Sequence, residues 1–365
     1  MPDPGCQVTL LLPGLFGPAA DPDIPDDAGN RAREAGVLCT GLELPNVVRA
    51  LSRSRPLRSN RLEQSIEALY LKAFEIAMPA DQDLPIAALT AQIDGLESKH
   101  DVWMRADPVY LRPDLGRLIL HDHRRLDIQP DEAQQLANEL NAEFEELELL
   151  VASPERWYLR LTTQPKVTST SPASAHGQDA DSCLLQGADA RHWHQLQNEI
   201  QMVLHASPVN SAREARGLPA INSLWFWGAG QLPSPTSSNW DTVLGHDVLH
   251  QSLAHWSNTP YIEIPDNAQQ WLGQTPTGSC LVLSQTAARA IHDQDRDAWR
   301  EALVELDQHW FGPLLVALKN RILETLTIDG GNGRMFILTS RDARKWWRRD
   351  NPLQDLFTSA RAPIT

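Results

Sequence analysis

The fold is decided by the stretch Ser207-Pro-Val-Asn-Ser-Ala-Arg-Glu-Ala-Arg-Gly-Leu-Pro-Ala-Ile-Asn-Ser-Leu-Trp-Phe-Trp-Gly-Ala-Gly230. It begins as a polar segment in which Pro208 and Gly217-Leu-Pro219 are typical of loops. It becomes apolar from residue 221 to residue 227 and ends at Gly228-Ala-Gly230. A short apolar run that is bounded by glycines predicts a buried strand. In open α/β sheets, ligand sites form beyond the carboxyl ends of such strands.

The same stretch contains a candidate anion-binding site. Its members are the side chains of Asn210, Arg213 and Arg216 and the backbone amides of Gly228 and Gly230. Two arginines beside glycine-exposed amides suit a phosphate or a carboxylate, because guanidinium groups bind these anions with paired hydrogen bonds. The alternative is that Arg213 and Arg216, three residues apart in one helical turn, only cover a surface.

Length and charge limit the classes of protein that fit. A chain of 365 residues suggests two domains, or one domain with a large insertion. The formal net charge is -15, from 47 acidic and 32 basic residues. Such an acidic surface disfavours nonspecific binding to nucleic acid and to anionic membranes, so we expect neither as a partner. A local basic pocket for a small phosphorylated or carboxylate ligand remains compatible with this charge.

The cysteines and the first residues of the chain predict the cellular compartment. The four cysteines lie far apart and form no CxxC pair, which is typical of reduced thiols rather than of a disulfide framework or a zinc site. The first residues contain no basic segment, and the apolar run 8–12 is too short for a signal sequence or a membrane span. We therefore expect a cytoplasmic protein.

The order of apolar segments predicts an α/β fold. Residues 7–12 form a nearly continuous apolar run and predict a buried parallel strand. Strands and helices then alternate, which indicates a mainly parallel sheet flanked by helices. Residues 102–161 instead read as β-β-α-β, and residues 164–182 as a long loop or a linker. We thus predict a core in two parts, 1–95 and 191–365, around an inserted α+β domain at 96–190.

Histidines offer a candidate metal site. His246 and His250 are four residues apart and share a helix face, and Asp241, Asp247 and His255 are nearby in sequence. Isolated pairs of this kind often occur by chance, so we expect no metal, with manganese or zinc as the alternative. The chain contains no GxSxG, P-loop or GxGxxG motif. The cluster Trp346-Trp-Arg-Arg349 could stack on an anionic ligand or pack the last helix.

Several of these segments resemble the archaeal-type cofactor-independent phosphoglycerate mutases of the alkaline phosphatase superfamily. Residues 208–230, with Trp225-Phe-Trp-Gly-Ala-Gly230 as the most specific block, are similar to one of that family's segments, and so are residues 44–51, 131–141 and 157–161. Three further segments are Arg105-Ala-Asp-Pro-Val109, Pro154-Glu-Arg-Trp-Tyr-Leu-Arg-Leu161 and Phe311-Gly-Pro-Leu-Leu315. They give a closer likeness to an uncharacterised bacterial family that is labelled phosphoglycerate mutase-like, or a regulatory protein of a pathogenicity-factor cluster. The resemblance implies an alkaline-phosphatase-like sheet with an inserted domain.

The chain departs from the mutases where their metals bind. The resemblance implies two divalent metals, held by Asp and His residues, and a serine nucleophile. The first strand of the mutases ends in an Asp-Gly metal ligand, and this chain has Pro13-Gly14 there. Their ligand-rich segment corresponds to residues 283–292, in which His292 remains while Ala288 and Arg289 stand in place of an acidic pair. Two neighbouring metals need several carboxylates to offset their charge.

These observations lead to three hypotheses. The first is a regulatory or ligand-binding pseudoenzyme that has lost the dimetal centre and keeps the anion-binding residues. The second is an active metal-dependent phosphomutase or phosphatase with altered ligands, drawing on His246, His250 and His292. The third is a protein-interaction module that uses the tryptophan-rich C-terminal face to bind a protein partner.

Overall fold

The chain divides into two compact units. The computed structural model describes residues 5–18, 28–62, 65–79, 81–96, 101–236, 238–345 and 347–361. The first unit comprises Met1–Glu75 and Thr236–Thr365, and the second comprises Ile76–Pro235. The inserted unit therefore begins about twenty residues before the predicted boundary and ends 45 residues after it (235 against 190).

The helices and strands are numbered along the chain. Up to residue 75 the elements are β1 (Cys6–Leu11), α1 (Ala28–Cys39), α2 (Pro45–Arg53), β2 (Arg55–Leu62) and α3 (Ile66–Ala73). In the second unit they are α4 (Ile86–Ile93), β3 (Val102–Asp114), β4 (Arg117–His121), α5 (Pro130–Glu143), β5 (Leu149–Ser153), β6 (Arg156–Leu161), α6 (Pro172–Ala175), α7 (Ala180–Cys183), α8 (Ala190–Ala206), α9 (Pro208–Ala215) and β7 (Ser223–Gln231). After residue 235 they are β8 (Thr242–Gly245), α10 (Val248–Trp256), β9 (Tyr261–Glu263), α11 (Ala268–Leu272), β10 (Ser279–Leu283), α12 (Thr286–His292), α13 (Arg296–Glu305), a π-helical segment (Leu306–Phe311), α14 (Gly312–Lys319), β11 (Leu323–Asp329), β12 (Asn332–Thr339), α15 (Ser340–Ala343) and α16 (Leu353–Arg361).

The first unit contains a seven-stranded sheet in the order β2-β12-β11-β1-β10-β8-β9. The five strands from β11 to β9 are parallel, β12 is antiparallel to β11, and β2 at the edge is antiparallel to β12. This arrangement confirms the predicted α/β fold with a mainly parallel sheet. β11 and β12 are joined by a tight turn and pair as an antiparallel hairpin.

The apolar run at the start of the chain forms the centre of this sheet. β1 pairs with β10 on one side and with β11 on the other, so its backbone groups are bonded on both edges. Val8, Leu10 and Leu11 are each at most 1% exposed because helices cover both faces of the sheet. Leu11 is in register with Leu283 and with Asp329. The carboxyl ends of the three central strands therefore lie side by side.

The second unit is built on an antiparallel sheet in the order β4-β3-β6-β5, with β7 also paired to β3. The residues buried on one face include Met104, Leu136, Trp157, Ile200 and Phe226. A smaller cluster with Ala87, Trp103 and Tyr158 packs α4 against the sheet.

β7 corrects two predictions made from the sequence. We predicted residues 221–227 as a strand of the α/β core, but β7 pairs with β3, so residues 191–235 belong to the second unit. Helices bury β7 on both faces, and a strand buried on both faces has the same continuous apolar pattern in either kind of sheet. The predicted loop 164–182 is an ordered part of this unit that contains α6 and α7.

Candidate functional site

The polar residues before β7 hold α9 in place. Ser207 caps α9, and its hydroxyl accepts the Val209 amide. The Asn210 side chain is buried and donates to the carbonyls of Leu204 and Ile221, while its oxygen accepts the Ile221 amide. The described hydrogen bonds of the Asn210 side chain therefore all stabilise the loop between α9 and β7.

Arg213 and Arg216 share one carboxylate, that of Glu132 on α5. The side chain of Arg213 is 0% exposed, and its guanidinium donates to Glu132 over 2.5 Å and to the carbonyl of Pro219 over 2.9 Å. Arg216, whose side chain is 51% exposed, bonds the other Glu132 oxygen. Burial alone would raise the pKa of Glu132, but the bonds from Arg216, the Gln129 amide and Arg213 hold it below its ordinary value. These contacts join α5 to α9. Anion binding by Arg213 and Arg216 stays a prediction, and their bonds to Glu132 do not favour it.

The two glycines of β7 allow α4 to approach the strand. A Cβ atom at Gly228 would lie 2.9 Å from Cβ of Ile86, and one at Gly230 would lie 2.7 Å from Cβ of Pro85. The Gly228 amide donates to the Ser169 hydroxyl. The structure therefore brings Asn210, Arg213 and Arg216 together around α9 and places the glycines against α4.

The best candidate site is a cavity of about 410 Å³ in the first unit. It lies where the loops after β1, β10 and β11 meet, at the carboxyl ends of parallel strands, which is where open α/β sheets bind ligands. Its lining consists of Pro13, Gly14, Phe16, Gly17, Pro18, Arg31, Ser65, Ile66, Leu69, Ala288, Ile291, His292, Gly330, Gly331, Asn332 and Arg361. Pro13-Gly14 and His292 lie far apart in the sequence, and nothing in their spacing predicted that they share a cavity.

Close backbone packing shapes this cavity. Gly14 has a φ of +81°, and a Cβ atom there would lie 2.8 Å from the backbone nitrogen of Ala288. The Gly14 carbonyl accepts the indole N–H of Trp299 over 2.9 Å. The loop after β1 is thereby fixed against α12 and α13.

The charges on the lining are positive. Arg31 and Arg361 contribute guanidinium groups, and none of the described lining residues is an aspartate or a glutamate. Arg361 also bonds Glu34 over 2.5 Å and donates to the carbonyls of Phe16 and Pro18. It therefore fixes the loop after β1 while it adds positive charge to the rim.

The donor set of this cavity does not fit a pair of divalent metals. Carboxylates would be needed to balance the charge of the two ions. Pro13 and Ala288 line the cavity where the mutase resemblance implies acidic ligands, and Arg289 is directed to Asp247 at 2.9 Å. Asp329, at the end of β11, is 0% exposed and accepts the Gly331 amide within its own turn.

The other histidine candidates lie elsewhere. His246 lines a different cavity from His292, and the ring centroids of His246 and His250 are 6.4 Å apart. His250 is 0% exposed, and burial lowers its pKa to about 4 despite the opposing effect of Asp247. Over the ranges that the structure describes, no group of three or more His, Cys, Asp or Glu residues could hold a metal ion. The proposed role of His246, His250 and His292 as joint ligands therefore has no geometric support.

Two further expectations concern the surface. Trp346 lies outside the described residues, and Trp347 is 66% exposed. A search of the described helices finds none that is long and apolar enough to cross a membrane.

Comparisons with known proteins point to one family. The family model described as 2,3-bisphosphoglycerate-independent phosphoglycerate mutase matches residues 85–210, which lie within the second unit. The 2,3-bisphosphoglycerate-independent phosphoglycerate mutase of Methanosarcina mazei is 34% identical over 68 residues, and the match spans 19% of this chain and only 17% of that relative.

Solved structures extend the likeness to the fold. The PH0037 protein from Pyrococcus horikoshii superposes with a TM-score of 0.56 and 15% identity, covering 92% of this chain and 88% of that one. The cofactor-independent phosphoglycerate mutase from Thermoplasma acidophilum superposes with a TM-score of 0.46 and 14% identity over 97% of this chain and 94% of that one. The sequence comparisons therefore show a similarity of part of this chain to 2,3-bisphosphoglycerate-independent phosphoglycerate mutases, and the solved PH0037 structure shows that the chain shares the fold of that protein.

Proposed function

We propose that this protein is a phosphoglycerate mutase-like pseudoenzyme that binds a small anionic ligand in the 410 Å³ cavity and acts by regulation rather than by phosphoryl transfer. The observation that carries the proposal is the lining, which combines two arginines and a histidine with no described carboxylate at the carboxyl ends of parallel strands. The ligand class is a phosphorylated acid or a carboxylate.

Electrostatics supports this choice of ligand. The chain as a whole carries a net charge of -15, so a small anion is repelled from most of its surface. Arg31 and Arg361 place two guanidinium groups on the lining, one of them paired with Glu34, and guanidinium groups form strong hydrogen bonds with phosphate and carboxylate oxygens. The cavity is thus the favoured place on the first unit for an anion.

The family match and the cavity lie in different units. Residues 85–210 match the family model, whereas every lining residue of the cavity belongs to the first unit. The similarity therefore supports the scaffold, and the proposed activity rests on the cavity alone. The proposed loss of phosphoryl transfer is supported by Pro13 and Ala288, which supply no carboxylate to a metal.

An active phosphomutase or phosphatase with altered ligands is the main alternative, with manganese or zinc as its cofactor. It would need His246 and His292 to act together, and they line separate cavities. A protein-interaction module is the second alternative, favoured by the exposure of Trp347.

Ligand-dependent stabilisation tests the proposal. Phosphoglycerate should raise the melting temperature, with a stabilisation of roughly 2.7 kcal/mol at a hundredfold excess over its dissociation constant. Arg31→Ala should weaken this effect because it removes positive charge from the cavity. Arg33→Ala is the matched control, since Arg33 is an exposed residue of the same helix outside the lining. Equal responses of both variants would place the ligand elsewhere, and no response to phosphoglycerate or to simple carboxylates would contradict anion binding.

A further inference from the structure

Two helices supply apolar side chains to the 410 Å³ cavity. On α3 they are Ile66 and Leu69, and on α12 they are Ala288 and Ile291. The members of each pair are three residues apart, so they lie on one face of their helix. Leu69 and Ala288 are buried, while Ile66 and Ile291 are half-buried. The arginines therefore describe only one part of this cavity, because α3 and α12 give it an apolar part.

The glycine turn after β11 fixes two of the apolar side chains. A Cβ atom at Gly330 would lie 2.6 Å from Cε2 of Phe16, and one at Gly331 would lie 2.6 Å from Cδ2 of Leu69. The Phe16 ring also lies edge-on to Phe357, with ring centroids 5.4 Å apart. Because these contacts hold the side chains in place, little conformational entropy is lost when a ligand packs against them.

Most of the polar side chains on the lining already have partners within the protein. The Ser65 hydroxyl accepts a backbone amide in the first turn of α3 over 3.1 Å. The side-chain amide of Asn332 donates to the Ala360 carbonyl over 2.9 Å. Arg361 donates to two backbone carbonyls and to one carboxylate. A ligand rich in hydroxyl groups would lose its hydrogen bonds to water here and gain few in return, which weakens its binding.

We propose that the ligand of this cavity is an amphipathic anion, in which one carboxylate or phosphate is attached to an apolar body. The inference rests on the proposed function, because it takes anion binding in this cavity as given. Arg31 on α1 and Arg361 on α16 bind the anionic head, and the apolar faces of α3 and α12 contact the body. Cavities of roughly 300–1,000 Å³ enclose drug-sized ligands. A volume of about 410 Å³ therefore leaves room for such a body beside the head.

Matched probes separate the head of the ligand from its body. Hexanoate and gluconate have the same charge and the same number of carbon atoms, and gluconate differs by its hydroxyl groups. In titration calorimetry on the full chain, hexanoate should bind at least about tenfold more tightly than gluconate, the factor expected when two methylene groups leave water. Hexanol, which has the same body without the charge, should bind at least about tenfold more weakly than hexanoate. Phenyl phosphate should bind more tightly than phosphoglycerate because its body is apolar.

Ile66→Thr tests the apolar part of the cavity. It keeps a β-branched side chain at the first position of α3 and replaces apolar surface of the lining with a hydroxyl group. Hexanoate binding should weaken by roughly fivefold, while gluconate binding stays within about twofold of its original value. Ile322→Thr is the matched control, since Ile322 is 52% exposed and lies outside the lining. The comparison of probes on the unaltered protein decides the inference independently of the variants.

The possible failures are distinguishable. Equal affinity for hexanoate and gluconate would overturn the inference and leave anion binding intact. Equal weakening of hexanoate binding in Ile66→Thr and Ile322→Thr would also overturn it, because the body would then bind elsewhere. Equal affinity for hexanoate and hexanol, or no binding of any of the four anions, would contradict the anion-binding function itself and the inference with it.

Discussion

The imidazole of His250 lies edge-on to the phenol ring of Tyr70, with ring centroids 4.6 Å apart. Both residues are at most 1% exposed. Neither ring nitrogen of His250 and no hydroxyl of Tyr70 has a hydrogen-bond partner in the described structure. Buried polar groups without partners destabilise a fold by about 1–3 kcal/mol each. Burial also lowers the pKa of His250, so protonation of this ring opposes folding.

We predict that acid weakens the fold through His250. Burial lowers the pKa of His250 from 6.5 to about 4 in the folded protein, so the folded state favours the neutral ring. The stability contributed by this group is fully present above pH 6.5 and is lost as the pH falls toward 4. We expect the free energy of unfolding to fall by about 3 kcal/mol across this range, and urea unfolding at several pH values measures this change.

The matched variants isolate the contribution of this histidine. His250→Phe should flatten the pH dependence between 6.5 and 4, because the ring that must gain a proton is gone. His255→Gln changes an exposed histidine of the same helix and should leave this pH dependence unchanged. An unchanged slope in His250→Phe would show that other groups cause the acid sensitivity.

We predict that Arg213→Ala destabilises the protein strongly. The substitution removes the buried one of the two arginines that bond Glu132 and leaves two buried carbonyl groups without this donor, which should lower the free energy of unfolding by about 3–5 kcal/mol. Arg216→Ala removes a half-exposed partner of the same carboxylate and should change the free energy of unfolding by at most about 1 kcal/mol. Urea unfolding of both variants distinguishes a structural role from ligand binding. A stable Arg213→Ala protein that fails to bind phosphoglycerate would restore the predicted anion site.

We predict that the anion cavity does not tolerate a side chain at Gly14. Gly14→Ala combines a φ of +81° with a Cβ atom 2.8 Å from the backbone nitrogen of Ala288. Strain and overpacking together should lower the free energy of unfolding by about 2–5 kcal/mol. Gly116→Ala has a similar φ of +84° but nothing within 4 Å, so only the backbone strain remains. Similar melting temperatures for the two variants would contradict the close packing of this loop.

The sequence predicted the sheet of the first unit better than it predicted the site. The apolar run at β1 is a local pattern, and its prediction as a buried parallel strand is confirmed. The assignment of β7 to that sheet was wrong, because the apolar pattern records burial on both faces and not the identity of the neighbouring strand.

The spacing of the lining residues along the sequence could not predict the candidate site. Pro13, His292 and Gly330 are far apart in the sequence, and only the register of β1 with β10 and β11 brings their loops together. Arg213 looked like an anion ligand because its partner, Glu132, lies 81 residues away in another helix.

The most direct test of the central claim is a calorimetric titration of the purified protein with phosphoglycerate in excess chelator, repeated after addition of Mn²⁺. We predict the same affinity in both conditions, because the arginines of the 410 Å³ cavity, and not a metal, hold the anion. Binding that appears only with Mn²⁺, accompanied by turnover of phosphoglycerate, would contradict the account and favour an active mutase.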